Sequence, residues 1–111
     1  YDTVGENFYH GLVLGLCATL DNRFYITSNR ESGEGRYDIC LCPKDGKLPG
    51  ILIELKAAKD CPEDELKELS EKALAQIDSR KYETELTVKG VRNILKYGVA
   101  FSGKRVQITA E

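Results

Sequence analysis

The 111-residue sequence contains no methionine, not even at its start, so it is expected to be a piece of a longer protein. No apolar run approaches the ~20 residues of a membrane-spanning helix, and Tyr1 opens a polar stretch rather than a secretory signal. A basic excess is also missing: 16 Lys and Arg stand against 18 Asp and Glu, a net charge of −2. A freestanding nucleic-acid binder usually carries such an excess. Any basic surface here has to be local, with affinity borrowed from another domain. The charges are unevenly placed, with Asp60–Glu71 strongly acidic and the stretch from Arg80 to Arg105 holding many of the Lys and Arg residues. Metal-binding cysteine spacing is absent too. Cys17, Cys40, Cys42 and Cys61 form no C-x-x-C and have no histidine nearby, which excludes a zinc site. Free thiols fit a reducing compartment, and a cytoplasmic location is expected.

What is present suits a folded globular domain. Hydrophobic residues make up 41% and charged residues 31%, a balance that excludes intrinsic disorder. The length allows one domain, 1–111, with a single core. Thr3–Leu20 reads as a helix: Thr3-Val4-Gly5-Glu6 has capping-box spacing, and Phe8, Leu12, Leu16 with Tyr9, Val13, Leu20 recur at helical intervals. Gly11 and Gly15 weaken that helix and are expected to allow its close approach to a sheet. His10 lies one turn after Glu6, and a lone helical histidine is read as structural. Arg23–Ser28 is a first strand, and 29–35 a turn region flanked by Arg30 and Arg36. Arg30 reads as part of a plain connection.

Tyr37–Cys42 and Gly50–Lys56 are the next two strands, joined through an Asp45-Gly46 turn signal. Strand side chains alternate faces. Asp38, Cys40 and Cys42 therefore share one face, and Leu52, Glu54 and Lys56 share one on the next strand. A hairpin about Gly46 places Asp38 directly opposite Glu54, where Cβ atoms lie about 4.5–5.5 Å apart. A one-residue slip would put Asp38 opposite Ile53 and separate the acids by face. The even register is preferred, because it leaves one face apolar and gathers the charges on the other. Facing like charges destabilise a sheet, so this register calls for a cation between them.

A second helix is expected from Pro62, with Asp60 or Cys61 as its cap, to about Arg80. Its buried stripe is Leu66, Leu69, Ala73, Leu74 and Ile77, and its acidic run is a solvated face. Gln76 lies at the edge of that stripe. Glu83–Gly90 suggests a short helical turn, and Asn93–Ser102 and Lys104–Thr109 suggest two more strands. Strand, helix, strand from Ile51 to Phe101 is a crossover, which makes those strands parallel. The fold class is α/β, a mixed sheet of four to five strands flanked by helices.

Asp38 followed by Glu54-Leu55-Lys56 on the neighbouring strand resembles the active site of the PD-(D/E)XK nuclease superfamily. Glu6 in the opening helix, the acidic helix after the E-x-K and Gln76-Ile77 late in that helix extend the resemblance over almost the whole chain. It is most similar to nuclease-like domains at the C-terminus of bacterial proteins with an AAA-ATPase-like region; the opening helix and Lys96–Phe101 match that group as well. The resemblance implies a restriction-endonuclease-like fold. It also implies that Asp38, Glu54 and the Leu55 carbonyl bind Mg²⁺ or Mn²⁺, that Glu6 is a further ligand to metal or metal-bound water, and that Lys56 orients the attacking water. Gln76, Arg36 and Arg80 would contact substrate, which is expected to be DNA. The ATPase-like region of the same parent chain would be a partner, and no membrane is involved. Glu6 as a plain capping residue and Gln76 as a half-buried amide capping backbone are the structural alternatives. Some relatives place a tyrosine four residues after such a glutamine. Here that position is Arg80 and the nearest tyrosine is Tyr82, whose role stays open. Two alternatives stand beside the enzyme. One is an ion pair of Lys56 with Asp38 or Glu54 on an exposed sheet. The other is a non-catalytic module that keeps the nuclease fold to bind nucleic acid or a partner.

Overall fold

The computed structural model describes residues 3–30, 36–45 and 47–111, with side chains described from Gly11 onward except those of Arg30 and Arg36. Gly46 and residues 31–35, most of the expected 29–35 turn region, lie outside the described residues, as do the side chains of Glu6, His10, Arg30 and Arg36. The elements run α1 (Thr3–Leu20), β1 (Phe24–Arg30), β2 (Arg36–Pro43), β3 (Gly50–Ala57), α2 (Glu63–Ala75), a 3₁₀ turn (Ser79–Lys81), α3 (Glu83–Val88), β4 (Ile94–Ser102) and β5 (Arg105–Ala110).

One five-stranded sheet has its strands in chain order, β1-β2-β3-β4-β5. β1, β2 and β3 form an antiparallel meander. The crossover through α2 and α3 makes β3 and β4 parallel, and β5 returns antiparallel. This is the mixed α/β sheet expected from the sequence. β3, rich in Ile and Leu, is its middle strand.

The two faces bury different partners. On one, Leu12, Val13, Leu16 and Leu20 of α1 pack against Phe24, Tyr37, Ile39, Leu41 and Leu55. Gly11 and Gly15 do not mediate this approach: both are exposed, and nothing lies within 4 Å of a Cβ added at either. The apolar stripe makes the contact, and the glycines fall on the outer side of the helix.

The opposite face carries Asp38, Cys40, Cys42, Leu52, Glu54 and Lys56. Cys40, Cys42 and Leu52 are covered by Tyr82 and Leu86. Farther across, Leu66 and Leu69 of α2 pack beside Ala100 and Cys61. Both faces of the sheet are therefore covered, so Asp38, Glu54 and Lys56 do not lie on an exposed sheet.

α2 is shorter than its periodicity suggests. It ends at Ala75, with Gln76 as C-cap. Asp78 then accepts the Arg80 backbone N–H and caps the 3₁₀ turn. An Asp that caps the next turn competes with helix continuation, and the break returns the chain toward β2. Neither Asp60 nor Cys61 caps α2 at its start. Pro62 holds the N-cap position and gives no side-chain cap. Cys61 is used otherwise: its N–H donates to Ser102 Oγ at 3.0 Å, and its carbonyl accepts from Arg105 at 2.5 Å. These bonds tie the start of α2 to the β4–β5 turn.

Candidate active site

Asp38 pairs with Glu54 across β2 and β3, in the even register. Lys56 follows two residues later on the same face, opposite Arg36 on β2 and beside Ala100 on β4. All three side chains are buried, with 6% of Asp38, 2% of Glu54 and 9% of Lys56 exposed. Charged residues are almost never buried without compensation, so what surrounds them decides what the site can do.

Asp38 is held from three directions. Tyr82 donates its hydroxyl to Asp38 Oδ1 at 2.5 Å. Asn29, the β1 register partner of Asp38, donates to the same Oδ1 at 3.3 Å and to the Tyr82 hydroxyl at 3.2 Å. Lys81 places its ammonium 3.2 Å from Oδ2. Burial, then the hydrogen bond to Asp38, hold the Tyr82 phenol protonated above its usual range, so it is a proton donor at neutral pH. Asp38, Glu54, Ile77, Asp78, Lys81 and Tyr82 line a narrow cleft of about 10 Å³, about the space of one water.

The donor set suits a hard divalent cation. Two carboxylates converge from adjacent strands, and hard cations take oxygen ligands while keeping waters. Among the described residues no three His, Cys, Asp or Glu side chains converge.

The remaining sequence-derived residues are placed as follows. The Gln76 side chain is exposed at the end of α2, while its backbone N–H bonds to helix carbonyls. It is not the half-buried amide of the structural alternative. The Arg80 guanidinium pairs with Asp78 at 3.1 Å and is 85% exposed, on the outside of the turn whose inner side presents Lys81. Glu6 and Arg36 lie outside the described side chains.

A sequence model of the PD-(D/E)XK nuclease superfamily matches residues 4–111. The chain belongs to the PD-(D/E)XK nuclease superfamily. No curated protein and no solved structure matches it. The five-stranded mixed sheet is compatible with a restriction-endonuclease-like fold. Divalent metal use is general among PD-(D/E)XK nucleases. No helix among the described residues is long and apolar enough to cross a membrane.

Asn29 and Lys81 belong to the site without having been expected there, and Tyr82 takes a role that the sequence left open. The strand period gives a signal for Asn29, which lies opposite Asp38 once β1 is extended to Arg30. Lys81 and Tyr82 carry none, because a helix read to Arg80 leaves them in the connection beyond its end, with no period to assign them a face.

Proposed function

We propose that this domain is a divalent-metal-dependent nuclease that hydrolyses phosphodiester bonds of DNA. The observation that carries the reading is the buried, directly opposed pair of Asp38 and Glu54 with Lys56 next on the same face. Asp38 and Glu54 would hold Mg²⁺ or Mn²⁺, with the Leu55 carbonyl and Glu6 as further oxygen donors. When bound, such an ion polarises the scissile phosphate and lowers the pKa of bound water. Lys56 orients the attacking water and stabilises the negative charge that develops on the phosphoryl oxygens. The water oxygen bonds to phosphorus, one P–O ester bond breaks, and a proton passes to the departing sugar oxygen.

A net charge of −2 requires the nucleic-acid contact to be local. On β1, Tyr25 lies on the same face as Asn29. It is 47% exposed, with the Lys44 ammonium 5.0 Å and the Lys89 ammonium 4.6 Å from its ring centre. An aromatic platform flanked by cations suits a nucleic-acid backbone, and these residues with Arg36, Arg80 and Gln76 would guide the strand. The ATPase-like region of the parent chain would be the partner that supplies further affinity.

The non-catalytic module is favoured by one observation, the narrowness of the cleft beside Asp38 and Glu54, about 10 Å³. A cleavage assay on single- and double-stranded DNA, with and without Mg²⁺ or Mn²⁺, decides between them. Metal-dependent cleavage that Glu54→Gln abolishes is expected. DNA binding without cleavage under either metal would establish the module instead.

A further inference from the structure

We propose that Tyr82 is a positioning residue for Asp38, and that its neighbour Lys81 is a built-in counter-cation which a divalent ion must displace from Asp38. The inference rests on the metal-site reading above. It follows from the unlike way the two oxygens of one carboxylate are held.

Oδ1 is fixed. It accepts from Tyr82 at 2.5 Å and from Asn29 at 3.3 Å, and the same Asn29 nitrogen donates to the Tyr82 hydroxyl at 3.2 Å. The Tyr82 ring is 8% exposed and packs among Cys40, Cys42, Leu52 and Leu86. It cannot leave Asp38 without breaking that apolar cluster. Two donors on one oxygen set the rotation of the carboxylate and decide where the other oxygen points.

Oδ2 is held differently. Lys81 reaches it at 3.2 Å from a side chain that is 50% exposed, against 9% for that of Asp38. A lysine stem is flexible and its ammonium strongly hydrated, so this cation can swing into water at little cost. Half-exposed ion pairs are weak. Both residues come from the segment that follows the early end of α2, one rigid and one exchangeable. Lys81 thus compensates Asp38 when no metal is bound and yields its place on Oδ2 when one arrives. Withdrawing this one flexible side chain frees Oδ2 and leaves the fold in place.

The test is calorimetric titration of Mg²⁺ and Mn²⁺ into the whole chain and its variants, with melting curves to confirm folding. Lys81→Gln removes the competitor and is expected to tighten binding by about two- to fivefold. Tyr82→Phe frees the carboxylate and is expected to weaken binding by about tenfold or more, as removal of outer-shell partners does. Asn29→Ala, which leaves the Tyr82 ring in place, is expected to weaken it in the same direction by less. Arg80→Gln, one residue away, is the control for through-space charge and should leave affinity unchanged. Equal tightening by Arg80→Gln and Lys81→Gln would overturn the counter-cation. Weaker binding in Lys81→Gln would make Lys81 part of the metal site and overturn it as well. Unchanged affinity in Tyr82→Phe would overturn the positioning role. These outcomes require a wild type that binds metal; a wild type that binds neither ion overturns the metal-site reading and this inference together.

Discussion

Glu54 and Gly98 are register partners across the parallel β3–β4 pair, and the glycine is what lets α2 lie flat beside the carboxylate. A Cβ at Gly98 would overlap the Ser70 carbonyl and the Leu74 amide, and would stand 2.9 Å from Leu74 Cα. These are backbone atoms, so they cannot give way as a side chain would. Gly98→Ala is expected to destabilise the domain by about 1–3 kcal/mol through overpacking. Gly11→Ala fills open space on the outer side of α1 and is expected to stabilise by about 0.5–1 kcal/mol. Thermal or urea unfolding checks both, and shifts of the same sign would contradict this account of the helix contacts.

Metal should act on stability through Asp38. A ligand at a hundred times its dissociation constant stabilises the native state by about 2.7 kcal/mol. For a domain of this size that is a rise in Tm of roughly 10 °C. Chelation should reverse the rise, and Asp38→Asn should abolish it. An undiminished metal-induced shift in Asp38→Asn would place the ion elsewhere.

Lys56→Met separates catalysis from charge balance. If Lys56 acts on the attacking water, cleavage falls by about 10²-fold or more while the metal-induced shift in Tm persists. A structural Lys56 would instead leave facing acids less compensated and lower the metal-free stability by about 1–3 kcal/mol. Cleavage rate with Mg²⁺ and melting without it are measured on the same protein. Full activity in Lys56→Met removes the residue from the mechanism.

Lys44 and Lys89 flank Tyr25 away from the metal ligands, so their effect should be on DNA affinity alone. Replacing both with Gln should weaken binding uniformly across sequences and reduce the slope of log affinity against log salt by about 2. Metal affinity should not move. An unchanged salt slope would dissociate this platform from the DNA path.

The thiols report on the core. Burial, with a smaller contribution from Glu85, raises the Cys40 thiol to about 12, and burial raises Cys42 too. Alkylation of the native protein at neutral pH should spare both, whereas denaturation should expose four modifiable positions. Because the unfolded chain loses these protons first, near pH 8.5, the stability they contribute is present below that pH and declines as pH rises toward about 12. Rapid native labelling of Cys40, or stability that is flat between pH 8 and 11, would refute the assignment.

The site's frame was legible because strand geometry is strict. A period of two and one hairpin register fix Asp38 against Glu54, and any slip would send Ile53 and its neighbours to the wrong face. α1 was legible in its bounds, Thr3 to Leu20, although Gly11 and Gly15 face away from the sheet that they were expected to approach. The turn that brings Lys81 and Tyr82 to Asp38 was not legible. Apolar spacing continues through Leu74 and Ile77, and nothing in that period announces that Asp78 will cap a new turn. The position of Tyr82 depends on a tertiary choice, the docking of its ring on Cys40 and Leu52, which local propensity does not encode. Ser70 escaped for a similar reason. A buried serine on an apolar stripe is intelligible only with Thr109 of β5 in view, 2.7 Å from its hydroxyl.

The chain-ordered sheet has a kinetic consequence. Asp38 and Glu54 meet through a local hairpin, whereas Tyr82 reaches Asp38 from 44 residues away. Local contacts close at lower entropic cost and form earlier than distant ones. The two acids therefore face each other in a nascent meander still open to water, and the tyrosine closes over them afterwards. Weakening a late contact mainly speeds unfolding. Tyr82→Phe is thus expected to shorten the lifetime of the native domain while leaving its refolding rate nearly unchanged, a separation that stopped-flow traces in urea would resolve.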